Sequence, residues 1–364
     1  MLKPAGLETG ALERAQGRKL MQVARLYGIR DVRVEEMPEP GEPGRGEVLL
    51  RLTVVGVCGS DVHYYTQGRI GDQVVTRPLI LGHEPAGVVE ALGPGVTHLR
   101  AGDRVAVDPA VSCGACESCR EGHPNLCPQV RFFGTPPVDG AFRELVVHPA
   151  SCVFPLPPEV SEEEGALLET FGVGLHAVDL GHLRPGFTVA VLGCGPVGLM
   201  TLLAARLGGA AQVFATDLLS WRLEAARELG ATAAFNPQER DVVREILAAT
   251  QGRGVDVAFE AAGAAETPQQ CTEVAKRGGT VVLIGIPDDD TLHLTHSTAR
   301  RKGLTLKMCR RMKHVYPRAI RLVAKGCAPL APLVTHRFPL SRVAEAFDLV
   351  ANYRDGVIKA VVEM

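Results

Sequence analysis

The sequence predicts an α/β protein of two domains, one rich in short β-strands and one built on a doubly wound parallel sheet. Three observations carry that prediction. The 364 residues exceed one domain of about 100–200 residues. Up to about residue 153, β-rich runs at 48–55, 87–92 and 104–107 are separated by Gly/Pro turns. After Pro185-Gly186 apolar strands at 188–192, 212–216, 256–259 and 280–284 alternate with helical stretches such as 197–207 and 220–229. That alternation is the signature of a parallel sheet.

In chain order, residues 1–20 mix Pro, Gly, Glu, Arg and Lys without an apolar core. They fit neither a secretory signal nor an anchor and read as a flexible extension. The β-rich segment and the parallel-sheet unit follow. Helical segments at 319–324 and 341–352 and a closing strand at 358–362 are expected to return to the first domain. Thirty-nine Lys+Arg against 41 Asp+Glu give a net charge of -2, so the positive field that nucleic-acid binding needs is missing. No apolar run approaches the roughly 18–20 residues that span a bilayer. Ten cysteines without an export signal imply reduced thiols in a cytoplasmic protein, serving as metal ligands or core residues.

Gly193-Cys194-Gly195-Pro196-Val197-Gly198 follows the strand at 188–192 and opens a helix, the context that makes a G-x-G-x-x-G string a dinucleotide fingerprint. Gly193 makes the turn, Gly195 lets a pyrophosphate approach the backbone, and Gly198 brings helix onto strand. Asp217 ends the next strand at about the offset expected of an acid that accepts from a ribose 2'-OH, which favours NAD. Arg222 complicates that choice, since a nearby Arg can accommodate a 2'-phosphate.

Cys113, Cys116, Cys119 and Cys127 form C-x2-C-x2-C-x7-C, the density of a closed tetrahedral structural zinc site. A zinc knuckle that reads nucleic acid has similar spacing, but Glu117 and Glu121 against Arg120 give no basic face. Cys58, His83, Glu84 and Glu169 offer thiolate, imidazole and carboxylate donors suited to an open catalytic zinc. On local spacing alone they fit core positions equally well.

Together these residues resemble the zinc-containing medium-chain dehydrogenases, and within them the polyol (sorbitol/xylitol) dehydrogenases. The specific stretches are Cys58-Gly59-Ser60-Asp61-Val62-His63-Tyr64, Gly68-Arg69-Ile70-Gly71, Leu81-Gly82-His83-Glu84, Gly165-Ala166-Leu167-Leu168-Glu169, Thr216-Asp217-Leu218 and Pro332-Leu333-Val334-Thr335-His336-Arg337-Phe338. The resemblance implies a GroES-like β catalytic domain over 21–171 and 311–364, with a structural zinc lobe near 110–128. A Rossmann NAD-binding domain at 172–310 interrupts it, and the active site lies in the cleft between them. It implies two zinc ions per chain. One is held by the four cysteines; the other by Cys58, His83 and Glu84, with Glu169 bonded to its water or entering the shell. The alternative reading of Glu84 is a carboxylate that orients His83.

The same resemblance gives Ser60 a proton-relay role with His63 as the next step, and puts Tyr64, Glu169 and Arg311 near polyol hydroxyls. It sets Ile284, Gly285 and Ile286 behind the nicotinamide, and it implies a homotetramer acting on a small-molecule polyol. Two departures stand out. Met312 occupies the place of a substrate-facing Tyr in animal relatives, so Met312→Tyr is expected to restore a hydrogen-bonding group. Thr170 replaces the usual Pro after Glu169. The four-cysteine lobe is expected to be remote from the chemistry. Sibling activities on L-threonine or 2,3-butanediol, or a catalytically silent binding protein, are the competing readings.

Overall fold

Along the strand Glu47–Gly56 every second residue from Val48 to Val54 is buried, the period of a strand with one face on a core. In the computed structural model, which describes residues 19–364, this strand is the centre of a seven-stranded sheet. The extension expected over 1–20 lies outside the described residues except for Lys19 and Leu20, the latter opening the strand Leu20–Gly28.

Glu47–Gly56 pairs antiparallel with Glu84–Leu92, with Leu145–Pro149 and with Lys359–Glu363. The last pairing sets Val361 opposite Gly56, so residues near the C-terminus complete a sheet begun 300 residues earlier. This return brings Lys359 beside the start of Glu84–Leu92, which matters below.

The second sheet has six strands in the order Ala233–Phe235, Gln212–Thr216, Thr188–Leu192, Val255–Glu260, Ala275–Leu283 and Thr305–Met308, all parallel. In sequence order that is 3-2-1-4-5-6, the doubly wound arrangement. Its order reverses between Thr188–Leu192 and Val255–Glu260, the switch point where such sheets bind ligands at their carboxyl ends. The fold is thus the α/β pairing that the sequence predicts.

The helix Glu162–Leu180 joins the two sheets. Its start is a capping box: Ser161 Oγ accepts from Glu164 N at 3.2 Å, and the Glu164 carboxylate accepts from Ser161 N at 3.0 Å. Thirteen of its 19 residues are buried, so it is apolar nearly all round and belongs in the interior. Gly174 lets it cross the helix Pro196–Leu207 closely, since a Cβ there would lie 2.7 Å from the Met200 carbonyl. One hydrophobic cluster runs from Val54 and Ala86 through this helix to Val189, Val213 and Phe259, a shared core that fixes one sheet against the other.

Candidate active site

Cys58 ends the turn after Glu47–Gly56 and caps the helix Gly59–Gln67, placing Ser60 in its first turn. Glu84 begins its strand directly opposite Gly56, where any side chain would collide with the Glu84 carboxylate. The ligand atoms of Cys58, His83 and Glu84 consequently lie within 4.8 Å of one another.

Asp61, 1% exposed, organises this cluster. Its carboxylate accepts from Cys58 N and from Gly82 N, each at 3.1 Å, and lies 3.2 Å from His83 Nδ1. With Nδ1–H donated to Asp61, Nε2 carries the lone pair, and Ser60 Oγ sits 3.3 Å from it. Burial works against a charged His83, but Asp61 and the Cys58 thiolate outweigh it and hold the imidazole well above its ordinary value. The cluster therefore favours a positive charge, and its N, S and O donors fit zinc.

The orienting carboxylate is thus Asp61, which corrects the alternative that gave this task to Glu84. Fully buried Glu84 is held by other partners. Lys359 Nζ lies 2.6 and 2.5 Å from its two oxygens, and Thr170 Oγ1 donates to it at 2.8 Å. Thr170, a departure noted in the sequence, supplies a donor that proline lacks. Burial pulls Lys359 down, but Glu84 and Cys58 leave it above its ordinary value, so the pair is ionic. Glu169 projects from the buried helix and is 5% exposed. Burial, with Glu84 adding to it against His83 and Lys359, pushes its carboxyl up to about 7.

Arg311 reaches the same centre from the far side. Its guanidinium stands 4.8 Å from the Phe132 ring centroid, and that ring is 5.2 Å from the imidazole of His83. Nε and Nη1 of Arg311 are buried without a partner, while Nη2 donates to Asn125 O at 2.8 Å. Met312 does not face this space. It is 8% exposed, in the core, with its sulfur packed where a side chain on Gly172 would sit. The expectation that a tyrosine here would reach substrate fails on that packing.

Tyr64 is buried at 2%, and its hydroxyl donates to Gln73 at 3.2 Å. His63 sits one helical turn beyond Ser60, with Nδ1 3.3 Å from the exposed Asp288. Gln67 Nε2 donates to the same carboxylate at 2.8 Å, tying this helix to the loop after Ile284, Gly285 and Ile286.

At the switch point Gly193 has φ of 97°, and a Cβ on it would lie 2.6 Å from Ala262 N; a Cβ on Gly198 would strike Gly193 O. Beside Gly195 a Cβ would meet only Arg222 Nη1, at 3.7 Å, which leaves that backbone open to a ligand. Val197 O accepts from Thr201 Oγ1 within the first turns of the helix Pro196–Leu207. Asp217 braces the loop, accepting from Cys194 N at 2.7 Å and Leu219 N at 3.0 Å, with Arg222 Nη1 3.8 Å away. Gly285 packs on Gly263 and Glu260, next to an exposed Ile286. Sequence reasoning missed Glu260, whose Oε1 gathers Ala262 N, Gly263 N and Thr267 Oγ1 within 2.9 Å. The signal was a carboxylate placed directly after the apolar run Val257-Ala258-Phe259.

The sulfurs of Cys113, Cys116, Cys119 and Cys127 also lie within 4.8 Å of one another. Cys116 N and Ala115 N donate to Cys113 Sγ at 3.3 and 3.5 Å, and Cys113 N donates to Cys127 Sγ at 3.4 Å. Those N–H groups pull the Cys113 thiol down to about 6. Four converging sulfurs with backbone N–H support fit a closed zinc site.

Two family models match the chain: the alcohol dehydrogenase GroES-like domain over residues 44–158 and the zinc-binding dehydrogenase over 196–325. The chain is 41% identical to the sorbitol dehydrogenase of Bacillus subtilis over 94% of its own length and 97% of that protein. It is also 41% identical to the sorbitol dehydrogenase of Homo sapiens, over 89% and 90%. Among solved structures it is similar to a chain from Sinorhizobium meliloti 1021 with NADP bound, at 34% identity, TM-score 0.86 and coverage of 95% and 100%.

Proposed function

The chain belongs to the zinc-containing medium-chain dehydrogenases, and from that premise we propose that it oxidises a sugar alcohol of the sorbitol/xylitol class to the ketose, with NAD as hydride acceptor. The observation that carries this reading is the convergence of Cys58, His83 and Glu84, with Asp61 on His83 and the Phe132 ring standing beside both His83 and Arg311.

In this reading Cys58, His83 and Glu84 or Glu169 would hold the catalytic zinc, which would supply a Lewis acid to lower the pKa of a substrate hydroxyl, and bound NAD would supply the hydride acceptor. The protein's own groups do the rest. Asp61 keeps His83 in the Nδ1–H tautomer, and Lys359 neutralises Glu84 so that its charge costs less in a dry site. Ser60 is assigned to accept the proton of the substrate hydroxyl as it releases its own O–H proton, and His63, beside the exposed Asp288, is assigned to carry a proton onward to solvent. Glu169, a buried carboxyl beside the cluster, accepts from or donates to a neighbouring hydroxyl. Arg311 offers Nε and Nη1 to the far hydroxyls of the polyol, with Tyr64 shaping the wall. Asp217 accepts from the adenosine ribose.

The catalytic domain is taken as 21–171 with 311–364 and the NAD-binding domain as 172–310. Ten unbridged thiols suit a reducing cytoplasm, and a homotetramer is what the family resemblance implies.

Initial rates with NAD on sorbitol, xylitol, ribitol, threonine and 2,3-butanediol test the assignment. A polyol should exceed threonine and butanediol in kcat/KM by about tenfold or more, the scale of one or two added hydrogen bonds. Preference for butanediol or threonine would overturn it.

A further inference from the structure

The four-cysteine lobe and the segment that carries Arg311 meet around Asn125. Asn125 lies in the turn Pro124–Leu126, next to Cys127, and is 6% exposed. Its Nδ2 donates to Arg310 O at 2.9 Å, and Arg311 Nη2 donates back to Asn125 O at 2.8 Å. Lys313 Nζ adds contacts to Gly122 O at 3.1 Å and His123 Nδ1 at 2.7 Å. Arg310, Arg311 and Lys313 are thereby bonded to the lobe's tip.

Two facts make this more than packing. Arg311 has φ of 52°, the left-handed region that a residue with a Cβ adopts only where surrounding contacts impose it. The Asn125 bonds grip both the carbonyl before that residue and its guanidinium. With Nη2 tied back to the lobe, Nε and Nη1 are the donors left over, buried and unpartnered beside Phe132.

We propose that Asn125 is a positioning residue for polyol recognition: its side-chain bond to Arg310 O fixes the backbone at Arg311 while its main-chain carbonyl accepts from Arg311 Nη2, so that Nε and Nη1 are left for the substrate. The four-cysteine lobe is then part of the specificity apparatus, not a remote strut. This rests on the reading of Arg311 as a polyol ligand.

The test uses the zinc-loaded enzyme with NAD and compares Asn125→Ala, the isosteric Asn125→Asp, Arg311→Ala and the Asn125→Ala/Arg311→Ala double variant on xylitol, sorbitol and 2,3-butanediol. Loss of one positioning hydrogen bond should raise KM for xylitol and sorbitol about three- to tenfold. Turnover should stay within about twofold and butanediol KM should not move, with metal analysis still finding two zinc ions per chain. The double variant should be no worse than Arg311→Ala, because one residue acts through the other. Unchanged polyol KM in both Asn125 variants while Arg311→Ala raises it overturns the proposal alone. So does full additivity in the double variant, or an equal rise on butanediol. An Arg311→Ala enzyme with unaltered polyol KM sinks the substrate role of Arg311, and the proposal with it.

Discussion

Met312 shows how a side chain's neighbours override the role its sequence position suggests. The family resemblance marks its position as substrate-facing, yet its sulfur fills the gap left by Gly172 on the buried helix. A tyrosine here must push into that core, and overpacking costs about 1–3 kcal/mol. Met312→Tyr should therefore unfold at lower denaturant with no gain on sorbitol relative to xylitol. A variant as stable as the parent and more efficient on sorbitol would show that the ring finds another way out. The same scale holds the ion pair of Glu84 and Lys359, 275 residues apart in sequence. Neither residue type announces the other. Only the pairing of Val361 with Gly56 brings them together.

Among elements the helix Glu162–Leu180 matters most, because it carries Glu169, Thr170 and Gly172 and packs on both sheets. Its position rests on small residues at its crossings, and the two glycines tested most easily differ in what opposes them. A Cβ on Gly174 meets the Met200 carbonyl carbon and oxygen at 2.7 Å, atoms that cannot yield without moving the helix Pro196–Leu207. A Cβ on Gly165 meets chiefly a Leu156 methyl at 2.6 Å, the end of a side chain that can rotate. Alanine improves helix propensity by about 1 kcal/mol at either site. Gly174→Ala should thus be destabilising by about 1–3 kcal/mol net, and Gly165→Ala should be clearly milder in urea unfolding. Equal effects would mean that the crossing tolerates a shift.

For the whole molecule, acid stability should be set in part by His148. Its ring is 2% exposed, 4.6 Å from the centroid of Phe133, and its Nε2 donates to Asp108 O at 2.9 Å. Burial lowers its value from 6.5 to about 4, the Asp108 carbonyl opposing. The unfolded chain therefore binds the proton first, and stability is lost as pH falls from about 6.5 to about 4. At full extent the loss from this group is about 3 kcal/mol, from about 1.4 kcal/mol per unit. Urea unfolding at pH 7 and pH 5 should show the decline, and His148→Gln, which cannot take the proton, should flatten it. An unchanged pH slope in that variant would assign acid sensitivity to other groups.

Local chemistry made much of this protein legible without coordinates. Strand and helix periods, the Gly193 to Gly198 turn ahead of a helix, and four cysteines at close spacing are short-range patterns, and short-range physics produces them. The family resemblance then named Cys58, His83, Glu84 and Glu169. What the chain alone left hidden are the partners contributed by distant segments: Asp61 under His83, Lys359 and Thr170 on Glu84, Asn125 gripping Arg311. The buried helix Glu162–Leu180 escaped notice for a related reason, since a helix apolar on nearly every side shows no amphipathic stripe. Each of these depends on which segments the sheets and the shared core bring into contact. A buried charge or an unpaired donor is stabilised by whatever lies within about 3 Å of it, and that neighbour is set by the tertiary fold.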